Sequence, residues 1–329
     1  MTAIYDIASD YVEAIAALDP ISATGMGIPG HDAEMSDFSP EGVAAHSKLR
    51  RETLAKLAAA PIENDRDRIA KEAMEDVLSL REEVVAAGDQ YRLSGFRNAS
   101  TTLRMAFDLM PRATEQDWAN IAARLALVPQ GIASYRLSLE EGIRSGVPTA
   151  RRQVAQAVKQ SATYGGAEGV PSFFQTLVEA FDASGIHSAG LKADLTAGAE
   201  AASQTYVDFS RYLEEKFMDS AVERDGVGRE LYQLSSRVYN GVELDLEETY
   251  QWGWDELYRI EDEMRQTCAK SCPEPRSKRP SSSSNRTQHA RSTVSKSFAS
   301  GCRTPRTGPS LRWMASTSTS RVRSRRLRR

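Results

Sequence analysis

Residues 191–217, LKADLTAGAEAASQTYVDFSRYLEEKF, decide the fold class. Leu191, Leu195, Ala199, Ala202, Tyr206, Phe209, Leu213 and Phe217 recur at steps of four, four, three, four, three, four and four. A strand changes face at every residue and scatters this set, whereas a helix of 3.6 residues per turn aligns it along one seam. The spacing predicts about six or seven turns of helix, the longest element of the body.

Upstream of the seam, FFQTLVEAF (173–181) predicts a short helix after the glycine-rich loop GGAEGVP, and RRQVAQAVKQSATY (151–164) a short basic one. Thr114 to Asp117 has the form of a capping box and opens a helix that buries Trp118, Ile121, Leu125 and Val128. Pro129 is expected to kink or restart it, with helical spacing resuming through Ile132, Leu139 and Ile143 to Gly146. A helix over 65–87 would turn Ile69, Ala73, Val77, Leu80 and Val84 inward and stop at Gly88. Ser39-Pro40-Glu41 starts another that runs to Pro61, and Ile4, Ile7, Tyr11, Ile15 and Leu18 form the stripe of the first, which ends at Asp19-Pro20. Between these two lies a formal G-x-G-x-x-G at Gly25, Gly27 and Gly30. A dinucleotide loop needs a strand before the glycines and a helix after them. Here a helix precedes and Pro29 interrupts, so the segment is expected to be a surface loop.

Downstream, DLEETYQWGWDELYRIEDEMRQTC (245–268) predicts an amphipathic helix capped by Asp245, with Leu246, Tyr250, Trp254, Leu257 and Met264 on one face. Asp255 to Arg259 and Glu261 to Arg265 are expected to pair across single turns. No stretch of 1–268 sustains a period of two, and no repeat of fixed length recurs. The expected class is all-α, an array of long antiparallel amphipathic helices.

Composition breaks at the end of this helix. Residues 269–329 hold 16 Lys and Arg against one acid, and 15 of these 61 residues are serine. Residues 1–268 hold 26 bases and 44 acids. The domains read as a helical body, 1–268, and a basic tail, 269–329, expected to be disordered. Cys268, Cys272 and Cys302 all lie at or beyond the boundary, which excludes a disulfide scaffold for the body. No run is apolar for the length of a bilayer and the N-terminal residues are acidic rather than signal-like, so a cytoplasmic chain without a membrane partner is expected. His31, His46, His187 and His289 include no pair four apart, so H-E-x-x-H is absent, as are a P-loop and a G-x-S-x-G elbow. His31 and His187 are read in loops and His46 on a helix surface, each solvated. Asn98-Ala99-Ser100 is a glycosylation sequon by letters only. No catalytic, cofactor-binding or metal-ligating residue is assigned.

Asp19-Pro20 with Ala23-Thr24 and Gly27, then LVPQGIASYRLSLEEGIRSG (127–146) with Val128, Pro129, Leu139, Gly142 and Gly146, then Glu248, Tyr250, Gly253, Glu256, Leu257 and Met264, carry a resemblance. The chain resembles the N-terminal half of the bacterial domain-of-unknown-function family 885 over most of 1–268. The resemblance implies a helical fold like that of zinc-dependent carboxypeptidases and oligopeptidases, peptide substrates, and an H-E-x-x-P-G-H-H motif in the second half. None of those ligand positions exists in this chain, so no zinc site or catalytic residue carries over, and the chain is expected to be inactive alone. With favourable codons, residues 277–304 read one base over can encode acidic, amphipathic strings that look like the family's continuation. A frameshift near Cys268 therefore accounts for composition, charge and abrupt onset together. The competing reading is a helical module whose basic arm binds nucleic acid. A third is a helical enzyme that uses the carboxylates of 245–268, Glu248 or Glu256 among them.

Overall fold

The computed structural model describes residues 2–271, and for residues 168 and 269–271 it describes the backbone alone. Among the described residues the chain is all-α, with eleven α-helices and no strands. They are α1 (Ala3–Leu18), α2 (Pro20–Met26), α3 (Pro40–Ala59), α4 (Asp65–Ala86), α5 (Ala99–Leu109), α6 (Glu115–Arg144), α7 (Arg151–Gly165), α8 (Phe173–Ala183), α9 (Ala189–Tyr212), α10 (Arg229–Asn240) and α11 (Leu246–Ser271). The chain divides into two units, Met1–Glu243 and Leu244–Arg329. Cys272, Cys302, His289 and the tail lie outside the described residues.

In the first unit α9 is the axis of the core and packs against α6, α7 and α8. Its seam is buried from Leu195 to Phe217, and Leu191 is half-buried. Where the seam runs past Tyr212 the helix widens into a π-turn, Leu213–Phe217, that keeps both Leu213 and Phe217 inside. Aromatic edges lock the partners: Trp118 of α6 meets Phe181 of α8 at 5.4 Å, and Phe174 of α8 meets Tyr206 of α9 at 5.1 Å. Close approach is set by glycines. A Cβ on Gly198 would come within 2.8 Å of Leu125, and one on Gly165 within 2.9 Å of the Ser203 carbonyl. A smaller cluster of Ile4, Leu57 and Leu78 joins α1, α3 and α4.

Several elements differ from the spacing-based expectation. The longest helix is α6, at 30 residues, and it runs unbroken through Pro129. The proline removes one donor, while Leu125, Val128 and Ile132 on either side of it are buried and hold a single axis. Ile143 near its end is 42% exposed. The supposed loop after Asp19 begins with α2, where Asp19 caps through its side chain, Pro20 takes the first position and Gly27 closes the helix at φ 72°. α5 and α10 were not marked by the spacing at all. On α4 the inward face differs in part: Leu80 is buried as expected, but Ile69 and Val77 are 59% and 53% exposed. Asp67, Ala70, Met74 and Leu78 face α1 and α3 instead. Buried Asp67 accepts hydrogen bonds from Thr2 Oγ1 at 2.7 Å and the Glu63 amide at 3.1 Å. A face anchored by a satisfied carboxylate is invisible to a count of apolar residues.

Of the second unit the structure describes α11. Asp245 caps it by accepting from the amides of Glu247 and Glu248 at 3.0 and 2.9 Å. Arg265 pairs with Glu261 at 2.6 Å as expected. Arg259 pairs with Glu256 and Glu263 rather than Asp255, which accepts from Gln251. Tyr250, Leu257 and Met264 are 65%, 50% and 63% exposed.

Candidate functional site

Three clefts of about 400, 510 and 570 Å³ adjoin on the first unit, and Arg92 lines all of them. The loop that carries Arg92 follows α4: Gly88 turns at φ 72°, Asp89–Tyr91 forms one tight turn, and Arg92 folds back. Arg92 Nε donates to Asp89 Oδ1 at 2.8 Å, and a terminal N–H reaches the Pro148 carbonyl. The guanidinium is thus neutralised and held at the point where the clefts meet.

The first cleft is lined by Asp37, Phe38, His46, Arg97, Asn98 and Tyr135 among others. His46 on α3 is half-buried and makes no hydrogen bond among the described residues. Burial pushes its pKa below the ordinary histidine value; Asp19 and Asp37 pull it up and Arg50 pushes it down. This corrects the expectation of a solvated His46. The Tyr135 phenol is raised far above its ordinary range by burial, with the neighbouring Tyr212 adding to the effect. Asp37 Oδ1 accepts from the Ser39 amide at 2.9 Å. A half-buried imidazole, a buried phenol and an arginine paired with Asp89 line the cleft. Among the described residues His46 has no hydroxyl, thiol or carboxylate in hydrogen-bond reach to activate.

The glycine segment has a structural explanation. Arg124 on α6 is fully buried. It donates to the carbonyls of Glu34 (2.9 Å), His31 (2.8 Å) and Pro20 (3.3 Å) and to Thr24 Oγ1 (2.9 Å). Ser138 Oγ donates to the Phe38 carbonyl, and the Phe38 amide donates to Ser134 Oγ. The α2–α3 connection is therefore strapped to α6 by side chains that occupy the His31, Glu34 and Phe38 carbonyls and the Phe38 amide.

His31 bonds Glu34 at 2.9 Å, while His187 is exposed in the α8–α9 loop. Asn98 is the cap of α5, accepting from the Thr101 amide. Among the described residues no group of three or more His, Cys, Asp or Glu is arranged to hold a metal ion. The donor set described here does not fit zinc. Arg92, Asp89, Tyr135 and Arg124 were not singled out by sequence. The available signal was Arg124 itself, a charge set within the apolar stripe of Ile121, Leu125 and Val128.

A family model for bacterial proteins of unknown function, DUF885, matches residues 20–301. The chain belongs to the DUF885 family. The match includes α2 through α11 and continues past Cys268. A candidate lipoprotein of unknown function from Shewanella oneidensis has a similar solved structure, with a TM-score of 0.64 at 16% identity over 85% of this chain and 50% of that one. A second, from Colwellia psychrerythraea, gives 0.56 at 16% identity over 80% and 51%. These likenesses show a shared fold, and the DUF885 chain spans about half the length of each structure. No curated protein matches it.

Proposed function

We propose that this DUF885 chain is the helical, non-catalytic half of a zinc-dependent, carboxypeptidase- or oligopeptidase-like hydrolase, and that it forms one wall of a peptide cleft. The observation that carries the reading is the apolar face of α11, with Tyr250, Leu257 and Met264 exposed on a helix long enough to pack against a further domain. The relatives' double length supports it, as does the resemblance of 1–268 to the N-terminal half of the family. Zinc would be held by residues beyond those described, and this chain's own residues bind and orient substrate. The frameshift reading places those ligands in the neighbouring frame after Cys268. The family match to residue 301 weighs in the other direction for residues 269–301.

The test is the gene across codons 265–275. Finding H-E-x-x-P-G-H-H in the neighbouring frame supports the proposal; an unbroken frame with independent relatives of residues 302–329 overturns it. At the protein level, the chain as it stands is expected to hold well under one equivalent of zinc by elemental analysis, and the chain restored to the other frame one or more. A cytoplasmic placement is part of this proposal, the lipoprotein names of the two similar structures weigh against it, and cell fractionation tests it.

A further inference from the structure

The stretch between the π-turn and α10 is the part of the first unit whose backbone is least occupied. Val222 pairs with the loop before α7: its amide donates to the Thr149 carbonyl at 2.9 Å and its carbonyl accepts from the Arg151 amide at 2.8 Å, a single parallel bridge centred on Ala150. From Glu223 to Val227 the chain is exposed and non-helical, and no backbone N–H or carbonyl has a partner among the described residues. The α2–α3 connection is also non-helical past Gly27, yet Arg124, Ser134 and Ser138 occupy its carbonyls and an amide. Nothing comparable reaches 223–227. Two of its side chains, in contrast, are paired, Glu223 with Arg151 at 2.8 Å and Asp225 with Arg152 at 3.1 Å. A non-helical backbone is thus tethered by two exposed ion pairs and by the one bridge at Val222, with its hydrogen-bonding groups left to solvent.

The two larger clefts flank this stretch and share Arg92, Pro148, Val227 and Gly228. One is lined by Leu93, Ala150 and Val222, the other by Ala87, Leu231 and Leu234. Arg224 lines the first and has no carboxylate partner among the described residues. We propose that Glu223–Val227 receives an extended peptide by strand addition, with alternate apolar side chains of the peptide entering the flanking clefts and a peptide carboxylate meeting Arg224. Main-chain bonding supplies affinity in this mode, and the period of two along a strand delivers every second side chain to the same side. The proposal rests on the cleft-wall reading for its choice of a peptide, but it requires neither zinc nor a particular origin for residues 269–329.

The probe is an eight-residue peptide of alternating valine and serine with a free C-terminal carboxylate and an N-terminal fluorescein, titrated against the full chain by anisotropy. Hydrogen exchange is followed on the same complex. Saturable binding with slowed exchange at 223–227 is expected, and N-methylation of alternate peptide amides should weaken binding about tenfold or more, since it removes donors and leaves side chains unchanged. R224Q should weaken the free-acid peptide several-fold and leave the C-terminally amidated one unaffected. Equal binding of the N-methylated peptide, protection elsewhere, or no binding by a chain with intact helical circular dichroism overturns the proposal. Loss of zinc binding by the restored chain would sink the hydrolase reading without touching this result.

Discussion

Arg124 carries more of the first unit's order than any sequence motif suggested. Its guanidinium serves three carbonyls and one hydroxyl with no direct carboxylate contact, and burial lowers its pKa while Asp32, Glu34 and Asp19 act in the opposite sense. Arg124→Met leaves the Glu34 carbonyl without a donor among the described residues and strips one from the His31 and Pro20 carbonyls, which keep the Glu34 amide and Thr24 Oγ1; it is expected to cost about 3 kcal/mol in urea denaturation. Arg124→Lys should recover only part, because an ammonium cannot span the same fan of acceptors. A second residue-scale lock ties α3 to α4: Glu82 accepts from Arg50 Nε at 2.6 Å and Ser47 Oγ at 2.5 Å. Burial raises the Glu82 pKa, but these hydrogen bonds and the charges of Arg50 and Arg51 outweigh it and the net shift is downward. A lowered carboxylate stabilises the fold fully above its unfolded value, about 4.3, and loses that contribution as pH falls through the folded value. Half-buried His46, also lowered, adds a loss as pH falls below about 6.5. Stability measured from pH 7 down to 3 should therefore fall in two stages, and E82Q should flatten the lower one. None of these residues belongs to a sequence motif; Arg124 and Glu82 act through partners more than 30 positions away, which periodicity does not register.

At the level of elements, the seam of α9, the capping box of α6 and the cap of α11 were legible because each is a local pattern with a local cause. Thr114 accepts from the Asp117 amide, and Asp117 answers the Thr114 amide, within four consecutive residues. The face of α4 and the continuity of α6 through Pro129 depended on neighbours, and there the apolar count misled. Glycine positions separate the two cases experimentally. Gly165→Ala drives a methyl into the backbone of α9 and should cost about 1–3 kcal/mol. Gly190→Ala, near the start of α9 with nothing within 4 Å, should stabilise by about 0.5–1 kcal/mol. Paired thermal melts of these two variants measure helix crossing against helix propensity in one experiment.

For the molecule as a whole, charge and apolar exposure concentrate after Leu244. Residues 245–268 hold eight acids and two bases, and residues beyond them reverse that balance. The exposed face of α11 should make the isolated chain prone to aggregate. Leu257→Glu with Met264→Glu is expected to raise the concentration at which light scattering detects aggregates, with the melt of the first unit unchanged. The candidate clefts were the least legible feature of all. Arg92, Pro148, Val227 and Leu231 come together across some 140 positions, and only the folded chain makes them neighbours.

The widened turn at Leu213–Phe217 has a consequence for aligning this chain with its relatives. A π-turn accommodates one residue more than an α-turn, so helical phase counted from the N-terminal side of α9 slips by about 100° across Leu213–Phe217. A homologue lacking that residue would show a one-position gap between Tyr212 and Met218 while presenting the same side chains to its interior.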